Sequence, residues 1–230
     1  MFNKTSKAVR LAALGTLTAG AMGVAPVAVA EVEVDASVTI ANMYLWRGQD
    51  LGDGNAAISG DIVIGSGGFY GGIWGSSGDA ELGTEYDLYV GYGGEVGDFS
   101  YDLSVWNYIY PSLPDETDNN SDNFGGLSEI VLTLGYGPVA FSYYDNIAGA
   151  QGYEYYTLDA VAGNFSATLG YADPEEADGQ GYDDNYVHLD LGYAYNDHLS
   201  FVLSQVVDSD EEADIDTDLK FVVSYLLPLE

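Results

Sequence analysis

The sequence predicts an all-β fold, a transmembrane antiparallel up-and-down β-barrel of about 12 strands. Three observations predict it. Apolar and polar residues alternate with a period of two along successive segments, as β-strands require. The connections between these segments alternate in length. The composition combines 30 Gly and 20 Tyr with only 6 Pro, which is typical of many strands, many turns and aromatic rings at membrane interfaces.

The segment over residues 85–93 shows the alternation most clearly. One face has an aliphatic centre flanked by tyrosines, formed by Tyr86, Leu88, Val90 and Tyr92. The opposite face carries two carboxylates, Glu85 and Asp87. An apolar centre with aromatic ends is typical of a strand that crosses a bilayer and turns its polar face to the lumen. A half-buried strand of a soluble sandwich also alternates, so the interpretation depends on the whole chain.

The alternation recurs along the rest of the chain. The segments are 32–47, 56–65, 68–76, 85–93, 99–108, 127–136, 139–145, 153–162, 165–172, 186–193, 199–207 and 217–227. Their apolar faces include, in the same order, Val34 and Ile40; Ile58 and Ile62; Phe69 and Ile73; Leu88 and Val90; Leu103 and Val105; Leu132 and Leu134; Val139 and Phe141; Tyr156 and Leu158; Phe165 and Leu169; Leu189 and Leu191; Phe201 and Leu203; Phe221 and Val223. Only the third segment is ambiguous in phase, because Tyr70 and Trp74 make its other face aromatic too. Several segments are long enough for a tilted bilayer crossing.

The connections are longer and shorter in strict alternation. The longer ones are 48–55, 77–84, 109–126, 146–152, 173–185 and 208–216, and the shorter ones are 66–67, 94–98, 137–138, 163–164 and 194–198. A membrane barrel has short periplasmic turns on one rim and longer external loops on the other, whereas a soluble sandwich has no reason to sort loops this way. We therefore expect a location in the outer membrane of a Gram-negative cell, with both termini periplasmic. The longest loop, 109–126, is the best candidate to fold into the lumen.

Residues 1–30 have the pattern of a cleaved secretory signal peptide. Lys4, Lys7 and Arg10 form a basic start, residues 11–25 are apolar, and residues 28–30 read Ala-Val-Ala. An uncleaved anchor is disfavoured because no stop-transfer pattern follows. Residues 31–230 are then expected to form a single transmembrane barrel domain.

The chain is strongly acidic, with 37 Asp and Glu against 5 Lys and Arg. Only Arg47 and Lys220 remain as bases after the predicted signal peptide. Nucleic acid is excluded as a partner, because its recognition needs a basic surface. The absence of cysteine excludes disulfides and thiolate chemistry.

Three stretches of the amino-terminal half resemble a known family. They are Tyr44-Leu45-Trp46-Arg47-Gly48, then residues 68–76, and then residues 85–92. Together with the signal peptide, they resemble the TorF family of bacterial outer-membrane proteins, described as porins of unknown function. The match covers roughly residues 40–110. The resemblance implies an outer-membrane β-barrel with a channel role, and it implies neither catalytic residues nor a substrate.

The polar faces provide candidate residues that line the lumen. These are Asp35, Arg47, Asp61, Asp87, Asp102, Glu129, Asp159, His188, Asp190 and Lys220. Carboxylates in a narrow wet channel concentrate cations and repel anions, which favours passive diffusion of small, preferentially cationic solutes. The alternative is a non-conducting structural or adhesive barrel whose lumen is plugged. Aromatic residues that would block the lumen or stack on a ligand are Trp74, Tyr89, Trp106, Tyr108 and Tyr144.

The two remaining bases are expected to lie near the same seam, among carboxylates. Arg47 ends the first segment and Lys220 begins the last one, and these segments become neighbours when the barrel closes. We expect both to point into the lumen near this seam, either balancing charge at closure or forming a constriction. Neither of the two histidines, His188 and His198, belongs to a nucleophile–base motif, so no enzymatic activity is predicted.

No cofactor is predicted, and the long loops concentrate acidic residues. A solvated acidic surface is the simpler interpretation, with weak binding of Ca²⁺ or Mg²⁺ as the alternative. An EF-hand loop is excluded at residues 208–213, because Ala213 occupies the place of the required Gly. The expected partners are outer-membrane lipid and lipopolysaccharide, small solutes and the barrel assembly machinery.

Overall fold

The computed structural model describes residues 32–112, 122–150, 152–174, 185–210 and 215–229. The predicted signal peptide, residues 1–30, lies outside the described residues. Across these ranges, no helix is long and apolar enough to span a membrane.

The described residues form a closed antiparallel barrel with a small hairpin. The strands are β1 (Glu33–Ala41), β2 (Leu45–Trp46), β3 (Gln49–Asp50), β4 (Ala57–Ser66), β5 (Phe69–Asp79), β6 (Gly83–Val96), β7 (Phe99–Ile109), β8 (Leu127–Tyr136), β9 (Val139–Ala148), β10 (Glu154–Ala162), β11 (Phe165–Asp173), β12 (Tyr186–Ala194), β13 (Leu199–Ser209) and β14 (Lys220–Leu229). Each barrel strand pairs with its neighbour in sequence, and β1 pairs with both β4 and β14, which closes the barrel. Only β2 and β3 stand apart, as a separate two-stranded hairpin. The predicted fold class, an all-β barrel of 12 antiparallel strands, is confirmed.

Side-chain exposure alternates along the wall as the sequence pattern predicts. On β6, Leu88 and Val90 are 38% and 63% exposed, whereas Asp87 and Tyr89, which alternate with them, are 0% and 6% exposed. The ambiguous phase of the third segment is resolved in the same way. Phe69 and Ile73 lie on the outer surface, while Tyr70 and Trp74 pack against the buried aromatic cluster inside. The barrel therefore has an apolar outer wall and a polar and aromatic interior.

The two rims differ in loop length. One rim has two-residue turns at 67–68, 97–98, 137–138 and 163–164, together with the turn at 195–198. The other rim carries the connections 42–56, 80–82, 110–126, 149–153, 174–185 and 210–219. The 80–82 connection is shorter than predicted because β5 and β6 extend to Asp79 and Gly83. Each connection on the second rim is still longer than the turns that flank it.

The first strand ends earlier than the sequence predicts. β1 stops at Ala41, not at Arg47. Asn42 then forms three hydrogen bonds across the seam. Its backbone N–H donates to the carbonyl of Val223, and its side-chain NH₂ group donates to the carbonyl of Phe221. Its side-chain oxygen accepts from the Val223 N–H at 2.6 Å. Because the chain leaves the wall here, residues 45–50 form the β2–β3 hairpin instead of extending the strand.

Candidate functional site

The β2–β3 hairpin carries Arg47 into the barrel interior, where the side chain is 5% exposed. Arg47 and Gly48 both have positive φ, 47° and 81°, as the two central residues of a type I′ hairpin turn require. A Cβ on Gly48 would lie 2.6 Å from the Cβ of His188. The hairpin tip therefore packs directly against the inner face of β12. The name "inserted hairpin" is used below for residues 45–50.

A buried ion pair joins the inserted hairpin to the far wall. One terminal nitrogen of Arg47 donates to both carboxylate oxygens of Glu129 on β8, at 2.7 and 2.9 Å. The Tyr108 hydroxyl donates to the same carboxylate at 2.8 Å. Glu129 is completely buried. Two buried charges of opposite sign are tolerable only while both partners remain, so this pair fixes the position of the hairpin.

Aromatic rings enclose the Arg47 guanidinium. Its central carbon lies 4.4 to 5.1 Å from the ring centroids of four residues, Trp46, Tyr144, Tyr153 and Tyr155. Such distances allow cation–π attraction, which is stronger in a desolvated site. The rings also fill the lumen at this level, because most of them belong to one buried cluster that includes Tyr89 and Trp106. These four rings are called the "aromatic cage" below.

A buried histidine stands behind the tip of the inserted hairpin. The Tyr155 hydroxyl lies 2.7 Å from Nε2 of His188, and Asp190 lies 3.0 Å from Nδ1. His188 is completely buried. Both ring nitrogens are therefore engaged by neighbouring side chains. The Tyr186 hydroxyl also donates to the Arg47 carbonyl at 2.9 Å, so this wall contacts the backbone of the hairpin as well as its side chain.

A second group of carboxylates lies on β6. Glu85 accepts hydrogen bonds from the Tyr44 hydroxyl at 2.5 Å and the Tyr110 hydroxyl at 2.8 Å. Burial, together with the charge of Glu85, raises the pKa of both Tyr44 and Tyr110 well above its ordinary value, so both phenols stay protonated as donors. Asp87 is completely buried, and its side-chain contact is with the Glu85 carboxyl group, since no hydroxyl or N–H donor among the described residues bonds to its oxygens.

The other predicted acidic residues occupy self-contained positions. Asp61 accepts from Ser37 at 2.5 Å, and Asp102 accepts from the Tyr70 hydroxyl at 2.8 and 2.9 Å. Asp159 accepts from Thr157 at 2.7 Å and from Thr168 at 2.5 Å. These side chains have local donors within the wall. Asp35, in contrast, is exposed near the start of β1.

The prediction that Arg47 and Lys220 both lie near the seam is wrong for Arg47, which pairs with Glu129 on β8. The Nζ of Lys220 instead lies 3.1 Å from Asp216 and also donates to the carbonyls of Asp216 and Asp218. Arg47 contacts β8, β9 and β10. The reason is that Arg47 is not the end of a wall strand: the hairpin carries it across the lumen from the seam.

A segment that the sequence did not single out lies inside the barrel, while the predicted inward loop is largely outside the described residues. The prediction chose 109–126, of which residues 113–121 lie outside the described residues. Among the described residues, the inserted hairpin, 45–50, enters the interior, and the sequence divided it between a strand and a loop. The sequence contained a signal for this hairpin. Arg47 is one of two bases after residue 30, and it stands between Trp46 and Gly48.

The acidic long loops fall largely outside the described ranges, at 113–121, 175–184 and 211–214. Among the residues that the structure describes, no three Asp, Glu, His or Cys side chains converge as a metal site requires. The alternative of Ca²⁺ or Mg²⁺ binding at these loops stays a prediction.

Comparison with known proteins gives a family. The family described as "Bacterial protein of unknown function (Gcw_chp)" matches residues 25–223. The chain belongs to this family. The Gcw_chp match extends well beyond the three stretches over residues 40–110 that suggested a resemblance. It includes every strand from β1 to β13. No curated protein shows a significant sequence match.

Solved structures that resemble the chain include OccAB3 and OccAB2 of Acinetobacter baumannii. Each is 9% identical in sequence, with TM-scores of 0.38 and 0.37. Each alignment covers 89% of this chain and 66% of the other one. This Gcw_chp chain thus spans slightly less than two thirds of the length of those proteins.

Proposed function

We propose that this Gcw_chp protein is an outer-membrane, porin-like channel that passes small, preferentially cationic solutes by passive diffusion. The observation that carries the proposal is the acidity of the interior. The buried carboxylates among the described residues are Asp79, Glu85, Asp87, Asp102, Glu129 and Asp190, and the buried bases are Arg47 and Lys220. An excess of negative charge inside low-dielectric walls raises the local concentration of cations.

The outer wall supports a membrane location. Its exposed side chains on neighbouring strands are large and apolar, among them Ile62, Ile73, Leu103, Leu158, Leu191 and Phe221. A continuous apolar belt of this kind is unfavourable in water. It suits hydrocarbon, in which a closed barrel also leaves no strand edge unpaired.

The placement of the chain ends supports the proposed orientation. Glu33 is paired with Gly65, and Ala36 is paired with Leu229. Both ends of the barrel therefore lie at the rim of the short turns, which is the periplasmic rim in outer-membrane barrels. A cleaved signal peptide at residues 1–30 is part of the proposal, because outer-membrane proteins must first be exported.

The inserted hairpin has the place of a constriction in this proposal. It narrows the lumen where the aromatic cage surrounds Arg47. Solutes then pass either through the space beside the hairpin or during movements that displace it. The resemblance of residues 40–110 to TorF-family porins favours a channel. An enzymatic role is not proposed, because His188 and its partner Tyr155 are both completely buried and therefore out of reach of a substrate.

A non-conducting barrel is the second candidate. The observation that favours it is the complete enclosure of Arg47 by Glu129 and the aromatic cage. If this plug never moves, the protein has a structural or adhesive role at the cell surface. Electrical recording separates the two candidates, because only a channel carries current.

The experiment uses purified residues 31–230 reconstituted in planar lipid bilayers under a KCl gradient. We expect discrete channel events and a reversal potential that indicates K⁺ preference over Cl⁻. A reversal potential of the opposite sign would contradict the cation preference. Correctly folded, inserted protein that gives no events would contradict the channel and favour the plugged barrel.

A further inference from the structure

We propose that Asp87, together with Glu85, binds an alkali cation inside the barrel. The inference rests on the proposed cation-preferring channel and names the side chains that receive the ion. Asp87 is 0% exposed, no hydroxyl or N–H donor among the described residues bonds to its oxygens, and its carboxyl group contacts that of Glu85. Two buried carboxylates in contact are strongly unfavourable when both are ionised without a counter-charge. Either a shared proton or a bound cation must therefore compensate the pair.

The neighbouring phenols do not supply the missing donor. Four phenols lie within electrostatic range of Asp87: Tyr89 has its hydroxyl beside Gly72 on β5, and the other three are Tyr44, Tyr108 and Tyr110. Each of these three already donates its one proton elsewhere, Tyr44 and Tyr110 to Glu85 and Tyr108 to Glu129. A phenol donates once but still accepts through its oxygen. These oxygens therefore remain available as neutral ligands for a cation, and not as donors for a carboxylate.

The local charge is also uncompensated. Glu85 and Glu129 both interact electrostatically with Asp87, which gives three carboxylates in one buried region. The nearby guanidinium of Arg47 is paired with Glu129, so the charges of Glu85 and Asp87 remain. Ordered water could satisfy hydrogen bonds here but would leave the charge unchanged. A bound cation would both neutralise the carboxylates and coordinate their oxygens.

The surroundings favour an alkali ion over a divalent metal. The described residues hold no convergence of three Asp, Glu, His or Cys side chains with metal-binding geometry. Two carboxylates supported by phenolic oxygens give a weaker, oxygen-only site. Asp87 lies opposite Trp74 on β5 and Tyr108 on β7, so aromatic faces border the site and add cation–π attraction. Conduction requires this kind of moderate binding, which lets an ion leave as well as enter.

The test is X-ray diffraction with Tl⁺, a K⁺ substitute with a strong anomalous signal, on crystals of residues 31–230. We expect an anomalous peak within coordination distance of both Asp87 and Glu85. Asp87→Asn should abolish this peak. Asp159→Asn should retain it, because the Asp159 carboxylate already has two threonine donors.

A structure without the Tl⁺ peak, in which Asp87 and Glu85 share a proton or bind water only, would overturn the inference. Wild-type crystals alone decide this point, so it does not depend on the folding of a variant. The bilayer recordings test the proposed function separately. A Tl⁺ peak without channel events would support the ion site and contradict the channel. Cation-selective events without a Tl⁺ peak would support the channel and contradict the ion site.

Discussion

The two sides of the barrel interior handle buried charge differently. On the side of β8, the Glu129 carboxylate is neutralised by Arg47 and accepts a further bond from Tyr108. On the side of β6, Asp87 is equally buried and has no donor at all among the described residues. A fully paired charge fixes structure, because removing either partner leaves the other exposed to a low dielectric. A carboxylate without a counter-charge can instead attract a mobile cation.

The largest expected effect comes from breaking the paired side. Arg47→Ala leaves Glu129 buried without its cation, and we expect a loss of about 3–5 kcal/mol in the free energy of unfolding. Urea unfolding of the detergent-folded barrel, followed by tryptophan fluorescence, measures it. The control is the double variant Arg47→Met with Glu129→Gln, which removes both charges and should recover most of the loss. A loss below about 1 kcal/mol for Arg47→Ala would mean that the pair contributes no more than a surface one.

A smaller effect is expected from displacing the inserted hairpin without changing charge. Gly48→Ala places a Cβ against His188 at a residue with φ of 81°, so we expect a loss of about 2–3 kcal/mol from strain and overlap. Gly54→Ala is the matched control, since Gly54 has φ of 77° but no atom within 4 Å of the added Cβ. It should lose only about 1 kcal/mol. In bilayers, Gly48→Ala should also raise the conductance; equal conductance in the two variants would show that the hairpin does not limit current.

The phenols on the β6 side give a pH-dependent effect. Because the pKa of Tyr44 and Tyr110 is raised by burial, the folded protein keeps these protons after the unfolded chain has lost them. Stability is therefore complete below the unfolded phenol pKa of about 10 and falls above it, by about 1.4 kcal/mol per pH unit for each phenol. Unfolding measured between about pH 9 and pH 11 checks this.

Tyr110→Phe should reduce that slope, whereas Tyr136→Phe on the exposed outer wall should leave it unchanged. Identical slopes in both variants would show that Tyr110 does not contribute to the pH dependence of stability.

The smallest expected change in stability is on the unpaired side. Asp87→Asn removes a carboxyl group that no base of the described residues pairs with, so the free energy of unfolding should stay within about 1 kcal/mol of the wild type. Glu129→Gln, the same type of change on the paired side, should cost about 3–5 kcal/mol because it leaves Arg47 uncompensated. Parallel urea titrations compare them. Equal losses in the two variants would erase the distinction between the two sides.

The wall of the barrel was predictable because its signal is local. Leu88 and Val90 alternate with Asp87 and Tyr89 in sequence, and the same alternation separates the outer surface from the interior. The interior was less predictable because its contacts are distant in sequence. Arg47 and Glu129 are 82 positions apart, and their meeting depends on a hairpin that leaves the wall after Asn42. Period-two alternation continues through residues 44–46 and therefore predicted more strand where the chain turns inward.

The hydrogen bonds of Asn42 link the closure of the barrel to the inward turn of the inserted hairpin. This residue stands where the chain leaves the wall for the lumen, and its partners, Val223 and Phe221, belong to β14. The anchor of the hairpin is therefore complete only when β14 has paired with β1 at the seam. Closing the barrel and turning the chain inward thus stabilise each other through one residue.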